Sequence, residues 1–457
     1  MAEYRTTPQD TPNMPSGVPY IVGNELAERF SYYGMRTILV VFMTHHLKDA
    51  SGALATMTPE EAKTAFHTFG ATAYFMPLLG ALLADVWIGK YRTIMSISLF
   101  YCLGHLALAL DETRLGLVSG LGLIAIGSGG IKPCVSAHVG DQFGPRNQAL
   151  LERVFGWFYF SINFGSFFSH LLTPWLLIHY GPRVAFGVPG VLLLIATVVF
   201  WMGRNYFAHI PPAGEGFLRE LTSPTGRSLL LRLFGLVLFI SVFWSLYDQN
   251  SSAWVLQAER MDRTYLGVSW LVLQITAINP ILVLVFIPLN SYVIYPALGR
   301  LFPLTSLRKI SIGFVFAVLT YLMSAYIELR LDQGAHMNIG WQVMAYVLLT
   351  FAEVLIYGTG LEFFYSQAPN RMKSFVMALF LLSISLGNGI TALVNLVIQD
   401  ARGVSRLSGP TYYLFFAALM AVTTLGFVVY ASRYRERRYV QGAASETLDT
   451  ETPAVSP

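Results

Sequence analysis

Long runs of hydrophobic residues alternate with short polar segments along almost the whole chain. A helix needs about 20 mostly apolar residues to cross the roughly 30 Å hydrocarbon core of a bilayer. Twelve runs meet this length, and they centre near residues 32, 75, 101, 126, 166, 194, 241, 281, 317, 351, 386 and 420. The longest polar break, Ala208 to Ser228, follows the sixth run. The pattern therefore predicts an all-α membrane protein with 12 transmembrane helices in two six-helix bundles.

The polar segments divide the chain into five predicted parts. These are a cytoplasmic N-terminal segment (1–17), a first bundle (18–207), a cytoplasmic linker (208–228), a second bundle (229–432) and a cytoplasmic tail (433–457). The tail is polar and has no helical periodicity, so we predict that it is disordered.

The composition supports a membrane protein. Hydrophobic residues make up 54% of the chain and charged residues 12%, whereas a soluble domain carries about 25% charged residues. The mean hydropathy is +0.53. Cys102 and Cys134 both lie inside apolar runs, which favours packing roles over a disulfide or a metal site. We expect the lipid bilayer as a partner, and neither a nucleic acid nor a metal.

The positions of the basic residues predict the orientation. Of the 30 lysines and arginines, 18 fall in segments that are cytoplasmic if both termini are inside, 9 fall in outer loops and 3 within the membrane. Basic residues concentrate on the cytoplasmic side of membrane proteins. Both termini are therefore predicted to be cytoplasmic.

Eight charged residues fall at membrane depth. One such group at mid-bilayer costs on the order of 2.5 to 3.5 kcal/mol even on lenient insertion scales. These side chains must therefore face protein or water and largely neutralise one another. The cations are Arg29, Arg36 and Lys132, and the anions are Glu25, Glu28, Asp248, Glu353 and Glu362.

The first predicted helix carries its charges on one face. At 100° per residue, Glu25, Glu28, Arg29, Tyr32 and Arg36 fall within an arc of about 100°. One interpretation is a structural stripe in which Glu25 and Arg29, one turn apart, hold the helix to the bundle. The other is a wet cavity in which carboxylates exchange protons and arginines hold anionic groups of a substrate. The helical pattern alone allows both.

Two glycine-containing segments occupy similar places in the two halves. GSGGIKPCVSAHVGDQF (residues 127–143) lacks the spacing of a phosphate-binding loop. Close helix packing and a kink at Pro133 explain its glycines better. In the second half, small residues at 358–360 precede Glu362, as those at 127–130 precede Lys132. We therefore expect a cation of one half to face an anion of the other.

The segment GALLADVWIGKYR resembles the cytoplasmic loop motif of the major facilitator superfamily. It carries Gly80, Asp85, Gly89, Lys90 and Arg92 in a similar order. Asp85 would lie at a helix end and Gly89 would permit a tight turn. The two basic residues would meet helix C-termini and Asp85. The resemblance implies a latch between two packed helices.

Four longer motifs resemble the proton-coupled oligopeptide transporters, the POT or PTR peptide transporter family within the major facilitator superfamily. They are ExxERFxYYG (25–34), GGIKPCVSxxxGDQF (129–143), FWSLYDQ (243–249) and GLEFFYSQAP (360–369). They come from both halves, so the resemblance covers roughly residues 18 to 432. It implies the major facilitator fold and a di- or tripeptide transporter of the bacterial inner membrane.

The resemblance also implies roles for individual residues. Proton coupling would involve Glu25, Glu28 and Arg29. Lys132 and Arg36 would hold the peptide carboxylate, and Glu362 the peptide amine. The other residues expected to bind peptide are Tyr32, Tyr33, Tyr74, Asn163 and Asn279.

Three features depart from many bacterial members. The acidic residue of the seventh helix is Asp248 rather than Glu, so a gate salt bridge with Arg36 would need slightly closer helices. His67 occurs in AFHTF, as in animal members, and could be a hydrogen-bonded packing residue or titrate during transport. The 21 residues from Ala208 to Ser228 leave no room for the two extra helices of many bacterial relatives.

The expected function is a proton-driven symporter for di- and tripeptides that works as a monomer, with protons as coupling ion and no cofactor. A different solute in the same fold, such as nitrate, a nucleoside or a drug, remains an alternative. So does a peptide sensor that does not transport. An enzyme is disfavoured because His45-His46, the one adjacent histidine pair in the sequence, has no further catalytic or metal-ligating residues at usable spacing.

Overall fold

The chain folds almost entirely into α-helices. The computed structural model describes residues 4–147, 150–212, 214–367, 373–399 and 405–434. Most of the tail predicted from residue 433 lies outside these ranges. Within them, 10 helices are long and apolar enough to cross a membrane.

In the described part of the first half there are five α-helices. The fifth has 52 residues, which at 1.5 Å per residue is about 78 Å, far more than one crossing of the bilayer requires. Its backbone is not helical at Gly181, where φ is 79°, and Pro182 follows. This break lies between the fifth and sixth predicted spans, although the count of twelve stays a prediction. The helices are α1 (Val18–Val41), α2 (Pro59–Leu82), α3 (Lys90–Leu110), α4 (Arg114–Gly140) and α5 (Leu151–Met202).

The predicted linker contains helical structure. The short helix α6 (Glu215–Thr222) lies inside it, and α7 begins at Pro224 after an N-cap at Ser223. The helices of the second half are α7 (Pro224–Tyr247), α8 (Ala253–Glu259), α9 (Ile278–Leu289), α10 (Tyr295–Gly299), α11 (Ser306–Asp332), α12 (Gly340–Glu353), α13 (Thr359–Gln367), α14 (Lys373–Val397) and α15 (Pro410–Arg433). A two-stranded hairpin, β1 (Thr264–Tyr265) and β2 (Val268–Ser269), follows α8.

Each half has its own hydrophobic core. In the first, α1 packs on α5 and α3 on α4; in the second, α11 packs on α15 and α7 on α14. The cores interlock at a few positions. Tyr74 of the first half packs into the second core, and Val255 and Leu273 of the second half pack into the first.

Glycines allow α2, α3 and α4 to approach closely, as the sequence predicts for residues 127–130. A Cβ at Gly80 would lie 2.5 Å from the Cα of Gly130. A Cβ at Gly127 would lie 2.4 Å from Tyr101, and one at Gly129 would lie 2.3 Å from Met76. Real side chains do not tolerate such distances, so these helices are held at glycine spacing.

The two halves contact each other mainly through α2 and α14. In the middle of these helices, Ser385 Oγ donates a hydrogen bond of 2.6 Å to the Ala71 carbonyl. Further toward the start of α2, Gln399 donates to Thr64 Oγ1 at 3.4 Å. These contacts close the end of the molecule that the sequence predicts to be the outer one.

Candidate functional site

The charged face of α1 is buried and internally paired. Arg29 Nε lies 2.6 Å from Glu25 Oε1 and 3.3 Å from Glu28 Oε2. Tyr101 donates a hydrogen bond of 3.3 Å to Glu28. Each glutamate is only 1% exposed. Arg29 therefore pairs with two carboxylates. If either glutamate is protonated, Arg29 still forms an ion pair with the other.

Lys132 of α4 is a buried cation that pairs with no carboxylate of the described part of the chain. Its Nζ lies 3.6 Å from the ring centroid of Tyr32 and 4.4 Å from that of Tyr74. Among the described residues, no hydrogen-bond acceptor reaches this ammonium. The two rings supply part of the missing stabilisation. A buried ammonium with free donors is a binding position for an anionic group.

Arg36 joins the two halves. Its Nη2 lies 2.6 Å from Asp248 Oδ1, the contact that the sequence predicts for a gate. The guanidinium also lies 4.9 Å from the ring centroid of Phe66. Arg36 is 7% exposed and Asp248 is 2% exposed. The pair is therefore shielded from bulk water and can last only while the halves touch here.

A hydrogen-bonded chain extends from this pair to His67. Asn388 donates its amide to Asp248, so its carbonyl oxygen accepts from His67 Nδ1 at 2.8 Å. His67 Nε2 then accepts from Ser252 Oγ at 2.8 Å. We call Arg36, Asp248, Asn388, His67 and Ser252 the central network. Asn388 and Ser252 were not expected from the sequence, since neither breaks an apolar pattern as a charge does.

Glu353, at the end of α12, is a carboxylate of the second half held by polar side chains. It accepts a hydrogen bond of 2.7 Å from Asn279, which also donates to Thr350 at 3.0 Å. Tyr247 contributes a further hydrogen bond. Three polar side chains from two other helices and its own thus orient this carboxylate.

The expectation that Glu362 lies at this interior position is wrong. Glu362 is exposed, and it stands nine residues after Glu353, about 13 Å further along a helical path. The signal that points to Glu353 is its place as the single charge inside an apolar run, with Glu362 already at the polar end.

The remaining predicted binding residues lie around these groups. Tyr33 is within electrostatic range of both Arg36 and Glu353. Asn163 is buried and donates to the Tyr159 carbonyl at 3.0 Å. Tyrosines therefore lie near both the cationic groups of the first half and Glu353. The tyrosines of this region are Tyr32, Tyr33, Tyr74, Tyr159, Tyr247 and Tyr357.

The cytoplasmic loop motif is built partly as expected. Gly89 has φ of 81° and makes the predicted tight turn between α2 and α3. Lys90 pairs with Asp141 at 2.7 Å rather than with Asp85, because α4 ends beside the start of α3. The Asp85 carbonyl accepts a hydrogen bond from Gly214. Arg92 is exposed.

In the part of the chain that the structure describes, no group of three or more His, Cys, Asp or Glu side chains is arranged to hold a metal ion.

Comparison with known proteins gives consistent matches. The family profile described as POT family matches residues 91–222 and 219–412. Peptide transporter family 1 of Drosophila melanogaster is 39% identical over 370 residues, covering 70% of this chain and 49% of that protein. Human solute carrier family 15 member 2 is 34% identical over 397 residues, covering 75% of this chain and 52% of that protein. The chain thus spans about half the length of these curated relatives.

Solved structures match over nearly the full chain. The POT family transporter PepTSo superposes with a TM-score of 0.83 at 35% identity, covering 92% of this chain and 98% of that one. An auto-inhibited POT family peptide transporter gives 0.82 at 36% identity, covering 94% and 99%. The predicted major facilitator fold is confirmed. The matched proteins are transporters and not enzymes.

The burial of Arg36 and Asp248 yields a stability prediction. Asp248→Asn removes the charge that compensates a buried guanidinium, and we expect a loss of about 3 kcal/mol. Asp332→Asn is the matched control, because Asp332 pairs with Arg260 at 2.7 Å where both side chains are 40% or more exposed. Such exposed pairs contribute below about 1 kcal/mol. Unfolding midpoints in detergent measure both, and equal shifts would contradict the assignment.

Proposed function

Because the chain belongs to the POT family of transporters, we propose that it is a proton-coupled symporter that imports di- and tripeptides by alternating access. It acts as a monomer in the bacterial plasma membrane with both termini in the cytoplasm. No cofactor takes part, and the proton is the coupling ion.

The observation that carries this proposal is the separation of charge between the halves. Lys132 and Arg36 offer cations on the first half, and Glu353 offers an oriented carboxylate on the second. A zwitterionic peptide has one carboxylate and one amine a few ångströms apart, whatever its side chains. Holding both termini fixes the peptide backbone through charge-assisted hydrogen bonds.

Broad side-chain selectivity follows from the same arrangement. Tyr33 and Tyr357 lie within electrostatic range of both Arg29 and Glu353. Aromatic walls accept apolar and polar side chains without a fixed set of hydrogen bonds. A solute without an amine would have little use for the Glu353 carboxylate, which is the feature that separates a peptide from the alternative solutes.

Proton coupling involves the triad of Glu25, Glu28 and Arg29. Protonation of one glutamate weakens its pair with Arg29 and changes the field at Lys132. The driving force suffices, because about 100 mV is worth roughly 2.3 kcal/mol per proton and one pH unit adds roughly 1.4 kcal/mol. With one proton moved per peptide, the two terms together support a several-hundred-fold accumulation of peptide.

The central network acts as the outer gate. Opening this side separates Arg36 from Asp248, and His67 from Asn388 and Ser252, because each contact joins opposite halves. The peptide carboxylate, or a proton on His67, would offset the loss of these contacts. Binding and opening are then linked through differential stabilisation of the two states.

Glu353→Gln tests the amine site. We expect the KM for dialanine uptake into proteoliposomes to rise at least tenfold, since a charge-assisted contact to the amine is lost. Glu362→Gln is the matched control, because Glu362 is exposed on the same helical segment, and its KM should stay within about twofold of the parent. A rise in KM for Glu362→Gln alone would restore the sequence-based assignment and contradict ours.

Glu25→Gln and Glu28→Gln test proton coupling. Each variant should lose uphill, gradient-driven uptake while it still exchanges labelled for unlabelled peptide, since exchange needs no net proton movement. Glu61→Gln serves as control, because Glu61 pairs with Arg114 at a partly exposed outer position. Uphill accumulation by either first-helix variant would make that glutamate structural.

A further inference from the structure

A second buried lysine contacts the opposite half near the outer end of the molecule. Lys63 lies in the first turns of α2, and its side chain is 7% exposed. Its Nζ lies 3.0 Å from Glu60 Oε1 and 4.3 Å from the ring centroid of Tyr412. Glu60 belongs to the same helix, whereas Tyr412 is in the first turn of α15.

The Tyr412 ring is held in place by its own half. Its hydroxyl donates a hydrogen bond of 2.9 Å to Asn395 of α14. Its edge packs on Tyr413 and Phe416, with ring centroids 5.6 Å and 5.2 Å away. The ring is 4% exposed. The face of the ring is therefore fixed toward Lys63. When the halves separate, the ring stays with the second half and loses its contact with Lys63.

Lys63 is distinct from the central network. It stands four residues before His67, one helical turn or about 6 Å closer to the outer end. Its neighbour Thr64 accepts a hydrogen bond from Gln399 of the second half at 3.4 Å. The outer end thus has two layers of contact between the halves, of which only the inner one includes the gate pair of Arg36 and Asp248.

The contacts of Lys63 depend differently on the opening of the outer end. Glu60 moves with α2, so its ion pair persists whether the outer end is closed or open. The contact with Tyr412 exists only when the outer end is closed. A buried ammonium is costly unless its contacts replace water. The ring face is the direct contact that the closed state adds, and the carboxylate of Glu328 in α11 acts on Lys63 from a greater distance.

We propose that Lys63 and Tyr412 form a second contact that holds the outer end closed, in addition to the gate pair of Arg36 and Asp248. We call it the outer latch. The ring lowers the cost of burying the lysine, so this contact stabilises the closed outer end. This proposal rests on the proposed function in one respect, because it assumes that the outer end opens and closes by alternating access.

Spin labels at two exposed outer positions test the latch without any substrate. Leu54→Cys in the first half and Ser408→Cys in the second, in a background lacking Cys102 and Cys134, report the separation of the halves by double electron–electron resonance. We expect Tyr412→Leu to raise the ratio of long to short distances about tenfold, because the lysine is left buried without its ring. Tyr412→Phe keeps the ring and should stay within about twofold of the parent.

A double-mutant cycle separates the latch from simple packing. In the Lys63→Met background the buried ammonium is gone and Glu60 stays on α2, so Tyr412→Leu should change the distance ratio by less than about threefold. If Tyr412→Leu has the same effect in both backgrounds, the two residues are not coupled and the proposal is overturned. Lys48→Met is the control, since Lys48 pairs with Glu112 inside the first half and should leave the distances unchanged.

The readout also separates this proposal from the proposed function. A coupled latch in a protein that fails to move dialanine would leave the latch standing and reject the peptide as substrate. If the protein transports dialanine but the double-mutant cycle shows no coupling between Lys63 and Tyr412, the latch is rejected and the proposed function stands. Melting curves of each variant in detergent show whether a changed distance ratio comes from a folded protein.

Discussion

A charge inside a membrane helix must meet an opposite charge, a polar partner or water, and Arg36 meets its partner on the other half of the molecule. This constraint organises the outer end. Asp248 is held against Arg36 by Asn388, which in turn orients His67. Because the contacts run between halves, moving the halves apart leaves several buried polar groups unsatisfied at once. Among the described residues no acceptor reaches Lys132 Nζ, which is why we propose that an anionic group of the substrate binds there.

Close helix packing at glycines determines where Lys132 lies. Gly80 against Gly130 and Gly129 against Met76 bring α2 and α4 close together. As a result Lys132 of α4 reaches the rings of Tyr32 on α1 and Tyr74 on α2. A larger side chain at these crossings would move the ammonium away from both rings. In this half of the molecule, the position of the buried charge therefore depends on the packing of the helices.

The sequence predicted the fold well because hydrophobic length and glycine spacing are local signals. The family resemblance also implied the pair of Arg36 and Asp248, and the structure contains it. The motif placed the amine-binding role on Glu362, which is exposed, whereas Glu353 is less exposed and accepts a hydrogen bond from Asn279. Which of the two binds the amine stays a prediction. For Lys90 the sequence predicted contacts with a helix C-terminus and with Asp85, and the structure pairs Lys90 with Asp141 at the C-terminus of α4. Asn388, Ser252 and Tyr412 could not be found from the sequence, because uncharged partners across two halves are set by tertiary packing and leave no periodic trace.

Uptake of labelled dialanine into liposomes that hold the purified protein tests the central claim most directly. An inward proton gradient and a negative interior are imposed, with and without an uncoupler. We predict accumulation above the external concentration that the uncoupler abolishes, because the first-helix carboxylates link peptide movement to the proton. Uptake that only reaches the external concentration and ignores the uncoupler, in a preparation that binds dialanine, would contradict proton coupling.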